Sequence, residues 1–378
     1  MKILVTNSGH KNALAAVRSL GKNSHFVGVS GMKSLDFASY SKYVNQVFFH
    51  ANPLSSPEKV KLEFKEFLTE NSYDVILPIG IDMVAFFSKN LNFFGQYCKI
   101  PISNYPIFRE IHDKDSLLKM ADNLGIPIPK TYTPRDFTDY IKIIPSFGYP
   151  HVIKARRGSS NSGVFVVENL EDAKRKYNEV VNTKSEDRTV FDYTKPLVQE
   201  YVGGEIHDVC TISENGKIKQ ALTQKRLKTL PIRGGSGIVN MTTLNKDLIY
   251  PSVKLLSKLG WSGVSQIEYK LDSNGVPRLM EVNPKFWGTL DLSIKAGINF
   301  PNLAVKLANG ESIPSKFKYK ADMRYRWILP YELIHFIKSR KGFLDFFKPD
   351  RNAKTNICFY DILPDIVHLF KMLQRFVS

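Results

Sequence analysis

Glu268, Glu281 and Asn283 fall where two short strand-like segments would set three oxygen donors on one face. Val264 to Lys270 (VSQIEYK) and Arg278 to Asn283 (RLMEVN) read as strands joined through Asp272-Ser273-Asn274-Gly275. Asn-Gly is a strong signal for a two-residue hairpin turn. With Asn274 and Gly275 as that turn, Glu268 lies directly opposite Glu281. Facing like charges destabilise a ladder, and a divalent cation between them reverses the sign. Asn283 shares the face by the two-residue period of a strand. Two carboxylates and one amide oxygen suit Mg²⁺, which takes few protein ligands and completes its shell with water and phosphate oxygens. A solvated strand face with scattered polar residues is the alternative.

Other segments carry cations and small residues. Lys154 ends an apolar strand (HVIK) and opens RRGSSNSG, in which Gly158, Ser159, Ser160 and Gly163 let backbone N–H groups approach phosphate oxygens. It is not a P-loop, because G-x-x-x-x-G-K-[ST] is absent; a flexible hairpin with a surface lysine is the plainer reading. Lys114 lies at a helical start, where a solvated charge is the ordinary expectation. Gln199 to Glu205 is a strand running into a glycine pair, able to offer main-chain groups to a base and a carboxylate to a ribose, or else an exposed turn. Gln224 to Lys228 and Arg233 to Gly237 concentrate positive charge before the hairpin, with a solvated basic loop as the plainer reading, and Lys285 follows Asn283 at strand spacing. Cations beside Mg²⁺ would stabilise charge on a transferring phosphoryl group. His10, His112, His151 and His207 read as structural, although His207 lies close to Glu205.

The elements that must position these residues change character along the chain. Lys2 to Thr6, His25 to Val29 and Asp74 to Leu77 read as strands alternating with helices at Asn12 to Leu20, closed by Gly21, and Val60 to Thr69. That alternation predicts a parallel, doubly wound sheet. The turn Asn7-Ser8-Gly9-His10 lacks G-x-G-x-x-G, which argues against a nicotinamide or flavin dinucleotide. A helix is expected over His112 to Leu124, a strand at Pro196 to Val202, and a hairpin across Glu214-Asn215-Gly216. The middle of the chain is therefore mostly antiparallel. After Ala321 the composition turns aromatic and basic, with helical patterns at Tyr331 to Lys338 and Ile366 to Phe376. Core packing is the simplest role for that tail; covering a cleft, meeting a partner or touching an acidic membrane surface are others.

The 378 residues suffice for two or three domains. Three scattered cysteines fit a reducing cytosol rather than a disulfide framework, and the expected location is cytoplasmic. No apolar run reaches the ~18 residues of a membrane span, so no transmembrane segment is expected. A net charge of +17 favours polyanions. A nucleic-acid binder would rest on that charge alone and lacks a recognition motif, so no nucleic-acid partner is expected.

Taken in order, Asp113-Lys114, PHVIK, RRGSSNSG, VQEYVGGE, QIE and EVNPKFWG resemble the ATP-grasp superfamily, in particular its carbamoyl-phosphate-synthetase-like carboxylate–amine ligases. The resemblance covers about residues 1–312. It implies an α/β, Rossmann-like N-terminal domain (1–105) and an α+β ATP-grasp domain (106–315), followed by a C-terminal extension (316–378). The ATP-grasp domain would have a small subdomain over about 125–197 and a large one over about 198–315. By the same resemblance Lys114 and Lys154 would contact nucleotide phosphates and the Gly158–Gly163 loop would close over them. Glu200 and Val202 would meet adenine through their main chain and Glu205 would bind the ribose. Glu268, Glu281 and Asn283 would hold one or two Mg²⁺, with Mn²⁺ able to substitute. Many relatives have arginine at Lys285, so Arg233 is a second candidate for the acceptor contact. The implied substrates are ATP, a small-molecule carboxylate and an amine, in a monomer or homodimer. A thiol or hydroxyl nucleophile, or a nucleotide-binding protein without turnover, are the alternatives.

Overall fold

The computed structural model describes residues 1–32, 36–158, 162–231, 234–315, 317–339, 350 and 352–377. Ser159, Ser160 and Arg233 lie outside the described residues.

Four short strands open the chain: β1 (Lys2–Val5), β2 (Phe26–Gly31), β3 (Gln46–Phe49) and β4 (Val75–Leu77), all parallel, in the order β3-β2-β1-β4. β1 and β4 are apolar runs, as strands covered on both faces must be. The helix after β1 spans Lys11–Lys22 and buries Ala13, Ala16, Val17 and Leu20. Gly21 does not end it. A β-carbon on Gly21 would lie 2.5 Å from that of Tyr43 and against its ring, so this glycine serves close packing inside the last turn.

The middle builds two antiparallel sheets. The smaller comprises β5 (Thr131–Tyr132), β6 (His151–Lys154), β7 (Val164–Val167) and β8 (Leu197–Glu200), ordered β5-β8-β6-β7. The larger has seven strands, β13-β12-β9-β10-β11-β14-β15. These are β9 (Ile206–Glu214), β10 (Lys217–Leu230), β11 (Ser236–Thr243), β12 (Gly263–Leu271), β13 (Pro277–Asn283), β14 (Arg324–Arg326) and β15 (Ala353–Thr355). Asn215 and Gly216 make the β9–β10 turn with φ of 47° and 78°, the left-handed pair that a tight hairpin requires.

Two expectations change, and a third gains detail. The helix expected from His112 to Leu124 breaks at Asp113, whose carboxylate caps a new helix, Lys114–Asn123, by accepting from the Ser116 N–H. Gln224 to Lys228 is not a loop: β9 pairs with β10 as far as Lys225, and β11 pairs with it on to Leu230. The tail packs into the core, as its composition suggested, but through strands that were not anticipated. β14 and β15 extend the large sheet, and Tyr325 and Trp327 enter a core that also holds Ile3, Val17 and Phe300.

Candidate functional site

Glu268 on β12 pairs with Glu281 on β13, and Gln266 with Asn283. On its other side Glu268 pairs with Asp208 on β9, so three carboxylates stand in a row across three strands. Arg226, on β10, is their internal counter-ion. Its guanidinium donates to Asp208 (2.7 and 3.2 Å), to Glu268 and to the Gly235 carbonyl (3.0 Å). Asp208 did not emerge from the sequence, and Arg226 did so only as one cation of the Gln224 to Lys228 stretch.

Cations approach Glu281 from the other direction. Lys114 lies 3.3 Å from its carboxylate, and Asn283 Nδ2 donates to it at 3.1 Å. Lys154, buried at the end of β6, donates to the Met280 carbonyl at 3.5 Å. Burial would raise the Glu281 carboxyl, yet Lys114 and Lys154 hold it down at about 2. Burial pushes Glu268 up; Arg226 opposes the rise, while Glu281 and Asp208 add to it. The pair is thus split, with one carboxylate firmly anionic and the other short of positive charge.

A cavity of about 70 Å³ lies over these groups, lined by Glu268, Glu281, Asn283, Arg226 and Lys285 among others. Two facing carboxylates and the Asn283 amide supply hard oxygen donors at the edge of this cavity, so the donor set fits Mg²⁺. No cluster of three His, Cys, Asp or Glu suited to a metal occurs among the described residues, so the amide of Asn283 is needed as a third donor.

Lys285, Ser236 and Gly288 also line a larger cavity of about 550 Å³, shared with His10, Lys11, Asp82, Ile238 and Tyr331. Lys11 was not anticipated. Its ammonium sits 4.5 Å from the Trp327 ring centroid, 4.6 Å from that of Tyr331, and 3.3 Å from the Gly237 carbonyl. Burial lowers it to about 7. Asn12 fixes this helix start by donating to the Phe286 carbonyl at 2.8 Å. The first parallel layer, the large sheet and the tail therefore all contribute to one chamber.

The stem of the RRGSSNSG loop is pinned. Arg156 donates to both oxygens of Asp113 (2.9 and 2.7 Å), and Arg157 to Asp192 (2.7 Å), so these arginines are engaged and Lys114 and Lys154 are the cations left near the carboxylates. Gly163 has φ of 72°, and a β-carbon there would meet that of Ala155 at 2.7 Å. A β-carbon on Gly158 would come within 3.1 Å of the Ser162 carbonyl.

Glu200 ends β8, and the Val202 carbonyl accepts from Lys270 at 3.0 Å. Glu205 is half exposed and accepts from Lys225 (3.1 Å), with His207 Nε2 at 3.3 Å. Lys225 leads the effects that lower its carboxyl. Val202 and Glu205 are tied to β12 just past Glu268, since Lys270 donates to the Val202 carbonyl and the Leu271 N–H donates to the Glu205 carbonyl at 3.1 Å. His112 donates from Nε2 to the Val190 carbonyl (2.8 Å) and His151 bonds to Tyr140 and Gly148, both structural roles. His10 instead faces the larger cavity.

A family model described as "ATP-grasp in the biosynthetic pathway with Ter operon" matches residues 192–330. The carbamoyl phosphate synthase large chain, C-terminal section, of Aquifex aeolicus is 22% identical over 209 residues. That match covers 53% of this chain and 37% of that protein, so the chain spans little more than a third of this relative. Among solved structures, N5-carboxyaminoimidazole synthetase from Staphylococcus aureus superposes with a TM-score of 0.68 at 16% identity, covering 89% of this chain and 85% of the other. The biotin carboxylase domain of Hydrogenobacter thermophilus 2-oxoglutarate carboxylase, solved with MgADP and bicarbonate, gives 0.66 at 16% identity, over 85% and 73%. With these two the chain shares a fold.

Proposed function

We propose that this chain, whose residues 192–330 match an ATP-grasp family model and whose fold is shared with N5-carboxyaminoimidazole synthetase, is an ATP- and Mg²⁺-dependent ligase that activates a carboxylate for attack by an amine. One observation carries it: Glu268 and Glu281 face each other across a ladder with Lys114 and Lys154 beside them, acidic donors for a divalent ion next to cations for a polyphosphate. Support also comes from the relative named a carbamoyl phosphate synthase and the neighbour solved with MgADP.

In the proposed reaction an oxygen of the substrate carboxylate bonds to the γ-phosphorus of ATP as the bond to ADP breaks. The amine nitrogen then attacks the acyl carbon, phosphate leaves, and the nitrogen loses a proton. Glu268, Glu281 and Asn283 would hold one or two Mg²⁺, or Mn²⁺ in its place, which when bound neutralises charge on the phosphate oxygens. Lys114 and Lys154 would position those oxygens, and little else is required of the protein for phosphoryl transfer. The Gly158–Gly163 loop, with Ser159 and Ser160, would shield the acylphosphate from water. The Glu200 and Val202 main chain would meet adenine, and Glu205 the ribose. Lys285 and Arg233, with Lys11 across the larger cavity, would orient the acceptor. In this scheme residues 106–315 clasp the nucleotide and residues 1–105 close the substrate side.

Purified protein tested for ADP release over a panel of carboxylates crossed with amines decides the matter. ADP should form only when one acid and one amine are present together. ATP binding without ADP in any mixture would leave a nucleotide-binding protein, and ADP release supported by thiols or alcohols but by no amine would reassign the nucleophile.

A further inference from the structure

Lys285, Ser236 and Gly288 line both the small cavity over the carboxylates and the larger one, so the two meet there. Asp82, by contrast, lines only the larger. It stands in the first turn of the helix Ile81–Lys89, and Asn7 sets its carboxylate. The Asn7 amide oxygen accepts from the Thr6 hydroxyl (2.8 Å) and the Gly80 N–H (2.7 Å), so Nδ2 turns to Asp82 and donates to both its oxygens at 3.1 Å. A carboxylate has about four acceptor sites, and among the described residues no cation lies within ion-pair distance of this one. Lys285 is the converse: its charged neighbours include Glu281 and Asp82, yet among the described residues its ammonium touches no acceptor. Opposite charges thus share one cavity, near enough to act on each other and not in contact. The rest of the wall includes Leu54, Ile81, Phe191 and Ile238, with the Lys11 ammonium held by the Trp327 and Tyr331 rings.

That lining selects by charge. A ligand with anionic groups alone would face Asp82, and one with cationic groups alone would face Lys285 and Lys11. A zwitterion meets both signs, and an apolar side chain suits the remaining wall. The metal-type donors order its ends: a carboxylate that is to react belongs at the junction, on Lys285, which leaves the ammonium for Asp82. On the ligase reading above, we propose that the carboxylate substrate is an amino acid with an apolar side chain, Lys285 taking its carboxylate and Asp82 its ammonium. One carboxylate oxygen bonds to the γ-phosphorus as the bond to ADP breaks. A protonated amino group has no free electron pair, so Asp82 also keeps the substrate from attacking its own acylphosphate. The attacking nitrogen belongs to a second amine, which displaces phosphate and loses a proton.

Binding is read by isothermal titration of the full-length protein with Mg²⁺ and a non-hydrolysable ATP analogue present. The probes are leucine, methionine and phenylalanine, their des-amino acids, which lack the ammonium, and their amides, which lack the carboxylate. At least one amino acid should bind roughly tenfold or more tighter than both of its analogues. Asp82→Asn should bring that amino acid level with its des-amino acid while the ATP analogue still binds. Should this variant not fold, the series on the parent protein still decides. No binding of any of the three amino acids, or des-amino acids that bind the parent as tightly, would overturn the proposal. So would an Asp82→Asn protein that binds the ATP analogue and keeps the full preference. The ligase reading fails separately: no ADP from any acid and amine would sink it while this binding series stood. ADP formed from des-amino acids as readily as from amino acids would sink the present proposal and leave that reading intact.

Discussion

Glu281 and Glu268 are chemically alike and differ only in which cations reach them. Glu281→Gln removes the carboxylate that Lys114 contacts at 3.3 Å and one of two acidic metal donors, while its shape is kept. ADP release should fall roughly a hundredfold or more, with cooperative unfolding by circular dichroism retained; full activity would remove the cluster from the mechanism. His112 gives a separate, stability-based prediction. Burial, with Lys114 next, holds it down at about 4 from 6.5, so between those values the unfolded chain binds a proton that the folded chain refuses. Stability is therefore whole above about pH 6.5 and falls as pH drops towards 4, by roughly 3 kcal/mol in total. His112→Gln should flatten that acid limb in urea titrations at pH 7 and pH 4.5. The carboxylates and lysines were legible from the sequence because their own strands and loops carry the spacing. Asp208, Lys11 and the counter-ion role of Arg226 were not, since each of these residues meets the site only through a pairing or packing partner tens to hundreds of residues away.

At the scale of elements, the hairpin shows how a correct pairing came from an incomplete turn. The loop is Asp272 to Val276 rather than a two-residue turn: Gly275 alone has positive φ (77°) and its N–H bonds to the Asp272 carbonyl at 3.0 Å. Leu271 then pairs with Pro277 and Tyr269 with Leu279, one step off the expected register. Met280 stands as an unpaired bulge residue and restores Glu268 opposite Glu281. Its carbonyl accepts from Lys154, so the irregularity also ties the two sheets together. A bulge in a row of apolar residues leaves no mark on hydrophobic period, which is why it could not be read. The glycine pair at Gly203-Gly204 yields a sharper test. A β-carbon on Gly204 would lie 1.7 Å from the Leu271 carbonyl oxygen, whereas on Gly203 it meets only Tyr201 at 3.5 Å. Gly204→Ala should cost about 3 kcal/mol by pushing β12 away, and Gly203→Ala no more than about 0.5 kcal/mol. Melting curves of the two variants check this, and equal losses would show that the close approach is not maintained.

For the molecule as a whole, the tail is what joins the first layer to the large sheet. Sequence reading found its aromatic, basic composition and both helical patterns, but not that β14 pairs with β11 or that Arg18 reaches it, because such pairings have no local signature. Arg18 lies on the first helix, buried, and bonds to Asp361 and Asp365; Asp361 further accepts from the Ser41 hydroxyl and the Lys42 N–H, each at 2.8 Å. One arginine is thus shared by two buried carboxylates. Arg18→Met keeps the aliphatic stem but strands both acids, which should cost about 3–5 kcal/mol. The substitution should also expose the tail to limited proteolysis before the rest of the chain unfolds. Restoring charge balance through Asp361→Asn and Asp365→Asn in the same protein should recover part of the loss, a coupling that a double-mutant-type cycle measures. Activity should follow the tail, since Trp327 and Tyr331 cradle Lys11 beside the larger cavity. Loosened packing at Arg18, far from the carboxylate pair in the chain, should raise KM for the acceptor more than for ATP. Equal changes in both, or proteolysis that begins elsewhere, would mean the tail is fastened chiefly by its strands and not by this ion cluster.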